Sequence, residues 1–371
     1  MKSLKIAIMG IRGIPANYGG FEVFAEMLST KLVERGHSVT VYCRKKFFTL
    51  DKKEYKGVKL VVLPSLAFKH LDTLSHSFLS TIHALFKKYD VVLFCNSANV
   101  IFIPILKFSK AKTFLNVDGI EAKRKKWNFL GKFFYKMCEK LATFLPDVLI
   151  TDANCIKKYY KRRYGKESVM IPYGASFERK DPGEVLETFD LKKGEYFLYV
   201  SRFEPENNPD LVIKAFLKSG IDSKKLVMVG DNPYDREYVK KLKKLANGDV
   251  IFTGGIYGEG YRELISNCFC YIQATEVGGT HPALIENMAV GNIIIANKTI
   301  ENYEVAHGCV LFYRRNSLEN LSEKMRYVLK YYSALEDLRN KSVERIRKFY
   351  TWEKIVNSYE NMFYEVVERG N

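Results

Sequence analysis

The chain has 371 residues, 47% hydrophobic and 27% charged, with 24 glycines and 10 prolines. This length suggests two domains, and the composition excludes disordered, collagenous and low-complexity classes. The net charge of +17 sits wholly in the first half: residues 1–180 hold 33 Lys and Arg against 14 Asp and Glu, whereas 181–371 hold 26 against 28.

A basic half of this size attracts polyanions: nucleic acid, an anionic membrane or phosphorylated ligands. A merely soluble basic surface is the plainer alternative. The seven cysteines are odd in number and scattered, which argues against a secreted disulfide framework and for a reducing compartment, the cytoplasm. The start, Met1 to Met9, carries only a short apolar run and does not read as a signal peptide. The longest uncharged stretch, Val91 to Leu106, is short for a bilayer span, so any membrane contact is expected to be peripheral.

In chain order, Leu4–Met9 reads as a strand, Gly10 to Gly20 as a glycine-rich loop and Phe21–Arg35 as a helix stopped by Gly36. Ser38–Cys43, Val58–Leu63, Val91–Cys95, Thr113–Val117 and Val148–Thr151 read as further strands. Their runs are apolar throughout rather than alternating, the mark of a parallel sheet covered on both faces. A turn-rich linker near 172–190 follows, and the pattern restarts. Strands are predicted at Tyr196–Ser201, Leu226–Val229, Val250–Phe252, Cys268–Gln273 and Ile293–Ala296, with helices at Pro209–Leu217, Pro282–Val290, within 317–345 and at the C-terminus. The fold class is therefore α/β, two consecutive doubly wound parallel-sheet domains. Sheets of this type bind ligands at the carboxyl ends of their strands, and two such domains are expected to face a cleft.

Three segments could carry chemistry. The first loop ends in Gly19 and Gly20 at a helix start, where backbone amides and the helix dipole favour an anion. It is neither the G-x-G-x-x-G fingerprint nor a Walker loop, and a tight turn without ligand is the alternative. The second runs Gly278-Gly279-Thr280-His281-Pro282 to Glu286: a second glycine loop opens a helix that Thr280 or His281 would cap. Glu286 suits vicinal hydroxyls such as those of a ribose, or simply the helix dipole. The third, Ser201-Arg202 to Asn207-Asn208-Pro209, puts an arginine at the mouth of a parallel sheet. There it would clamp a diphosphate, or form a salt bridge with Glu204 or Glu206.

Taken together, these segments resemble the retaining glycosyltransferases of family 4, whose GT-B fold pairs two Rossmann-like domains. The resemblance covers essentially the whole chain. It implies an acceptor-side domain over 1–172, a nucleotide-sugar domain over 173–349, and a tail helix of about 350–371 packing back on the first. It implies that Arg202 binds the donor diphosphate, that Glu286 binds the ribose, and that Gly279 and Thr280 offer amides to phosphate or donor sugar. Gly19 and Gly20 would line the acceptor side and approach the phosphate, and Asp118 would lie near the reacting sugar. Asn207 stands where the family often has a lysine and Gly278 where it often has a glutamate, and both are counted among the donor-binding positions.

The opening loop and the stretch Val117 to Trp127 are similar to a bacterial subgroup that includes rhamnosyltransferases of capsule and cell-wall polysaccharide assembly. That implies dTDP-rhamnose as donor, with a UDP- or GDP-hexose as the alternative, and a lipid-diphosphate-linked acceptor. No cofactor or metal is expected. His37, His70, His76 and His83 read as structural. Lys123, Arg124, Lys125, Lys126 and Trp127 lead into a cationic, aromatic helix, and Lys157 to Tyr164 into another. Both suit an anionic bilayer, which would place the protein at the inner face of the cytoplasmic membrane. The alternative has the aromatics in the core and the lysines in solvent. A basic nucleic-acid binder explains the charge but not the two Rossmann-like halves, so no nucleic acid is expected as partner.

Overall fold

The apolar runs form the strands of two parallel sheets in a computed structural model that describes residues 2–48, 53–66 and 71–369. The chain divides into two units. The first holds the residues up to Lys123, Trp127–Tyr173 and the stretch from Trp352 onward; the second holds Gly174–Thr351 together with Arg124–Lys126.

The first unit contains β1 (Lys5–Met9), α1 (Gly20–Glu34), β2 (Ser38–Arg44), β3 (Glu54–Tyr55), β4 (Val58–Leu63), α2 (Asp72–Leu85), β5 (Val91–Cys95), α3 (Ile103–Leu106), β6 (Lys112–Val117), α4 (Phe129–Leu141), β7 (Val148–Thr151), α5 (Asn154–Tyr164) and β8 (Val169–Met170). Its sheet order is β3-β4-β2-β1-β5-β6-β7-β8, and only the short edge strand β3 runs antiparallel. The stretch Val91 to Leu106 folds as β5, a 3-10 turn and α3. Among the described residues no helix is long and apolar enough to cross a membrane.

The second unit contains α6 (Glu184–Thr188), β9 (Tyr196–Val200), α7 (Pro209–Ser219), β10 (Lys225–Val229), α8 (Arg236–Leu245), β11 (Val250–Gly254), α9 (Gly258–Asn267), β12 (Cys270–Gln273), α10 (Pro282–Ala289), β13 (Ile293–Asn297), α11 (Ile300–Ala306), β14 (Leu311–Tyr313), α12 (Leu318–Tyr331) and α13 (Glu336–Phe349). The sheet order is β11-β10-β9-β12-β13-β14, so counting from β9 the strands run 3-2-1-4-5-6, the order of dinucleotide-binding folds. Phe197, Tyr199, Met228, Ile272 and Ile295 pack with Phe216, Leu321 and Met325 in its core.

The last helix, α14 (Trp352–Glu368), belongs to the first unit. Its apolar residues recur at helical spacing, and Tyr359 and Phe363 are fully buried against Phe24 and Phe114. Glu360 accepts from Arg35 Nη1 at 2.6 Å and His37 Nε2 at 2.8 Å. His37 is therefore a structural histidine, as is His76, whose Nε2 meets the Cys43 carbonyl at 3.0 Å. Burial and the Arg44 charge lower His76 to about 4, so it is neutral at pH 7. His83 Nδ1 meets the Tyr42 hydroxyl; His70 lies outside the described residues.

Candidate functional site

In the second unit, β9 and β12 are hydrogen-bonded neighbours from which the strand order proceeds in opposite directions. Ligands bind at such switch points, outside the carboxyl ends of the strands. Arg202 follows β9, and Gly278-Gly279-Thr280 follows β12, so the sheet brings both loops to one place. They are tied directly: the Glu276 amide donates to the Glu206 carbonyl at 2.9 Å, and Asn208 Nδ2 donates to the Ala274 carbonyl at 2.9 Å.

Asn207, expected to face the donor, turns inward instead. It is buried, and its Nδ2 donates to the Arg202 carbonyl at 2.7 Å while the Tyr199 hydroxyl donates to its own carbonyl at 2.8 Å. A short amide closes this turn, and the residue shapes the loop that carries Arg202.

α10 begins with Pro282 in its first turn, but His281 stands at its N-cap without a side-chain cap bond. The His281 ring packs over Gly278: a Cβ at 278 would lie 2.5 Å from His281 Cε1. A glutamate there would have to displace the imidazole, a physical reason for the glycine. Burial, and then the Arg124 charge, lower His281 to about 4, and its Nε2 is buried without a hydrogen-bond partner. Glu286 sits one turn into α10 and accepts from the Tyr261 hydroxyl at 2.8 Å. It is partly exposed, yet enough protein crowds its carboxyl that burial pushes it up to about 7, against the pull of the Tyr261 bond and the Arg262 charge.

Arg124–Lys126 forms part of this second unit, a placement the sequence did not suggest. The tripeptide meets three buried carboxylates. Lys125 Nζ donates to Glu276 Oε1 at 2.8 Å. Arg124 Nη1 lies 3.6 Å from Glu204 Oε2 and 3.8 Å from Glu206 Oε1. Lys126 Nζ lies 3.5 Å from Glu204 Oε1, and Arg202 Nη1 lies 3.7 Å from the same oxygen. Glu206 is 0% exposed, and burial and then the Glu204 charge raise its carboxyl above the usual range. Burial pushes Glu204 the same way, but the charges of Arg202, Lys126 and Arg124 outweigh it and hold its carboxyl low. The salt bridge weighed as the alternative for Arg202 thus exists, but at long range on an oxygen shared with a second cation.

The expected membrane patch at 123–127 is therefore broken up. Arg124 is buried against carboxylates. Trp127 donates from Nε1 to Glu121 Oε2 at 3.1 Å and packs on Tyr135. Lys123 remains exposed, its Nζ 5.4 Å from the Tyr159 ring centre. α5 also departs from expectation: Tyr160 is buried, and the Tyr159 and Tyr164 hydroxyls donate to the buried Glu139. A buried carboxylate needs such donors, so these tyrosines serve the interior. α4 keeps the exposed apolar character, with Phe129 81% exposed beside Leu130, Phe133 and Met137.

The first unit has its own switch point, between β1 and β5. Gly10 ends β1 at φ +91°, and a Cβ there would stand 2.4 Å from the Cys95 carbonyl oxygen, so only glycine fits. The loop to Gly20 is held by carboxylates of α1: Glu22 Oε1 accepts from the Arg12 amide at 3.0 Å and Glu26 Oε2 from the Ala16 amide at 2.7 Å. The Arg12 guanidinium lies between the rings of Tyr18 and Phe47. Gly19 is the N-cap of α1 and Gly20 its first residue. Asp118 follows β6, and after burial the charges of Glu22 and Asp118 are what raise the Cys95 thiol, which places both acids around the end of β5. Sequence reading missed the roles of Glu22 and Arg12, and named His281 only as a possible cap; the i to i+10 link from a loop amide to a helix carboxylate has no local signature.

Residues 3–176 match a domain of unknown function, DUF1972, and residues 177–349 match glycosyl transferases group 1. Over 95 residues the chain is 34% identical to a GDP-Man:Man(3)GlcNAc(2)-PP-Dol alpha-1,2-mannosyltransferase of Neurospora crassa; the match spans 24% of this chain and only 17% of that relative. Among solved structures, sucrose-phosphate synthase from Thermosynechococcus elongatus superposes with a TM-score of 0.83 at 16% identity, over 99% of this chain and 100% of that one. The Anabaena protein HepE in complex with UDP-glucose gives 0.81 at 13% identity, over 98% and 100%. Both likenesses establish the fold, which is GT-B. Residues 177–349, the unit that carries Arg202 and Glu286, are thus a domain of the glycosyl transferases group 1 type, and the chain is a glycosyltransferase.

Proposed function

We propose that this glycosyltransferase is a retaining, metal-independent enzyme of family 4 that moves a sugar from a nucleoside diphosphate to a lipid-diphosphate-linked saccharide during bacterial surface polysaccharide synthesis. The observation that carries the donor half is the pair of tied loops at the switch point of the second unit, with Arg202 on one and Glu286 on the helix after the other. Arg202 steadies the diphosphate as it leaves, Gly279 and Thr280 offer amides, and Glu286 accepts from the ribose hydroxyls. The acceptor hydroxyl attacks the anomeric carbon from the face the diphosphate leaves, the C–O bond to phosphate breaks, and the departing phosphate takes the hydroxyl proton. Gly19, Gly20 and Asp118 of the first unit are the acceptor-side candidates.

L-rhamnose from dTDP-rhamnose is the first choice of donor, on the resemblance of the opening loop and of Val117 to Trp127. A UDP- or GDP-hexose is the second, favoured by the UDP-glucose of the HepE complex and the GDP-mannose of the Neurospora relative. Thermal shifts with dTDP-, UDP- and GDP-sugars in chelator test this. A hundredfold excess over the dissociation constant stabilises by about 2.7 kcal/mol. A shift with one base sustains the reading and chooses the donor class; no shift with any sinks it.

The membrane half rests on α4. Phe129, Leu130 and Phe133 point to solvent beside exposed Lys132, Lys136 and Lys140, a composition that suits an anionic interface at the inner face of the cytoplasmic membrane. Cosedimentation is expected with phosphatidylglycerol vesicles and not with phosphatidylcholine. Phe129→Ser with Phe133→Ser should abolish it without lowering the Tm, because both rings are exposed; binding that survives would remove α4 from the interface.

A further inference from the structure

Helix α2 is amphipathic in reverse. It buries Asp72, His76, Ser77, Ser80 and Thr81 and turns Phe78 and Leu79 to solvent. Its neighbours also show apolar side chains. Phe86 follows α2 and is 78% exposed, Phe108 follows α3 and is 88% exposed, and α4 presents Phe129, Leu130, Phe133 and Met137. Single exposed apolar residues are ordinary, whereas a band of them across adjacent helices marks an interaction surface.

These helices lie on one face of the first sheet. Ala84 of α2, Leu106 of α3, Cys138 of α4 and Tyr160 of α5 share one core cluster with Leu115 of β6. Phe114, the preceding residue of β6, packs instead against Phe363 of α14. Successive strand residues point to opposite faces, so α14 covers the other side. There α1 meets it through Phe24 and Tyr359.

The two faces differ in sign. Within α2 to α5 the only acids are Asp72 and Glu139, and both are buried. The same helices expose Lys132, Lys136 and Lys140 on α4 and Lys158, Lys161 and Arg162 on α5. Nearby acids outside the helices are engaged: Asp90 accepts from the Lys5 amide, Asp147 from Thr113, and Glu167 pairs with Lys161. The opposite face is acidic, with three glutamates on α1 and four on α14 against Lys31 and Lys354.

Cations flank the exposed rings. Lys87 and Lys88 follow Phe86, and Phe108 stands between Lys107 and Lys110, all of them exposed. At an anionic bilayer such rings enter the acyl boundary while the ammonium groups meet phosphate. Nucleic acid would use the cations and stack on the rings. Leu79, Leu130 and Met137, however, have no flat face for a base and gain only by entering an apolar medium.

We propose that the whole layer from α2 to α5 docks on an anionic bilayer, with Phe86 and Phe108 inserting as well as α4, and that the acidic face of α1 and α14 turns away from the lipid. This rests on the membrane reading of α4 above and extends it to three more helices and to one orientation.

The test measures partitioning of the full chain onto phosphatidylglycerol and phosphatidylcholine vesicles. Phe86→Ser with Phe108→Ser leaves α4 untouched and is expected to weaken partitioning onto phosphatidylglycerol about tenfold. Lys158→Gln with Arg162→Gln on α5 should also weaken it about tenfold. Glu365→Gln with Glu368→Gln, a charge change of equal size and opposite sign on the other face, should alter it less than about twofold. All six side chains are exposed, so the Tm should hold in each variant. Unchanged partitioning in either the phenylalanine or the α5 variant overturns the proposal. The α4 reading survives that result if Phe129→Ser with Phe133→Ser still abolishes binding. A gain from the α14 pair as large as the α5 loss would show a response to net charge alone and overturn the orientation. Wild-type protein that ignores phosphatidylglycerol vesicles would bring down the membrane reading itself, and this proposal with it; binding of RNA by that protein would assign the face to nucleic acid.

Discussion

The two units share one core strand order, 3-2-1-4-5-6, and use their switch points differently. In the first, the glycine loop after β1 is filled by the protein itself: Glu22 and Glu26 take the Arg12 and Ala16 amides, and Arg12 lies between two rings. In the second, the loops after β9 and β12 keep Arg202 and Lys126 partly exposed around a shared carboxylate. The first unit thus closes its loop on its own acids, while the second gathers cations at its candidate site, three of them supplied by residues 124–126 of the basic half of the sequence. Net charge describes a long-range field, and a site depends on which few charges are fixed, paired and within reach.

The sharpest way to break this contrast is Arg202→Ala. Losing a charge-assisted contact to phosphate is worth about 1.5–3 kcal/mol, so nucleoside diphosphate affinity is expected to fall on the order of a hundredfold. Calorimetric titration checks this, and unchanged affinity would place the anion elsewhere.

A smaller effect is expected from the proton on Glu286. Burial raises this carboxyl to about 7, so it is largely neutral at pH 6 and largely ionised at pH 8. If the carboxylate is the form that accepts from ribose, affinity should rise about tenfold between these pH values, and Glu286→Gln should flatten the profile. Stability runs the opposite way. The folded protein holds this proton more tightly than the unfolded chain does, so the ligand-free enzyme loses stability as pH rises from the ordinary carboxyl range through 7. Glu286→Gln should remove that decline as well. An affinity that falls with pH would mean that the neutral acid is the binding form.

Much of the framework was legible because strands buried on both faces are mostly apolar, and β1, β2, β4 to β7 and β9 to β13 each carry an apolar run, broken only by residues such as Thr40, Lys59 and Asn116. What stayed hidden breaks the usual pattern. α2 buries Asp72, His76, Ser77, Ser80 and Thr81 and exposes Phe78 and Leu79, so its periodicity points away from the core. α9 opens with two glycines and buries Glu263. α8, α11 and the three-residue β14 are short or highly charged. The places of Arg202, Gly278 to Thr280 and Glu286 in the fold were readable because a strand–loop–helix unit dictates where its loop residues stand. The use of Arg124–Lys126 was not. A run of cations reads the same whether it faces lipid, solvent or buried acids, and Glu204, Glu206 and Glu276 lie at least 78 residues further along the chain.

The smallest expected effect on ligand binding belongs to the first unit, and it probes the other side of the contrast. Glu22 is buried and its Oε1 receives the Arg12 amide at 3.0 Å. Glu22→Ala leaves that amide without its acceptor, which costs roughly 1–3 kcal/mol of stability in urea unfolding. Glu22→Gln keeps an oxygen in place and should cost well under half as much. Nucleoside diphosphate affinity should stay within about twofold in both, because Glu22 and Glu26 take the Arg12 and Ala16 amides of this loop and the proposed anion site belongs to the other unit. A tenfold loss of affinity in Glu22→Ala at unchanged stability would show that the first loop holds phosphate too, and the division of labour between the two switch points would have to be redrawn with Gly19 and Gly20 on the donor side.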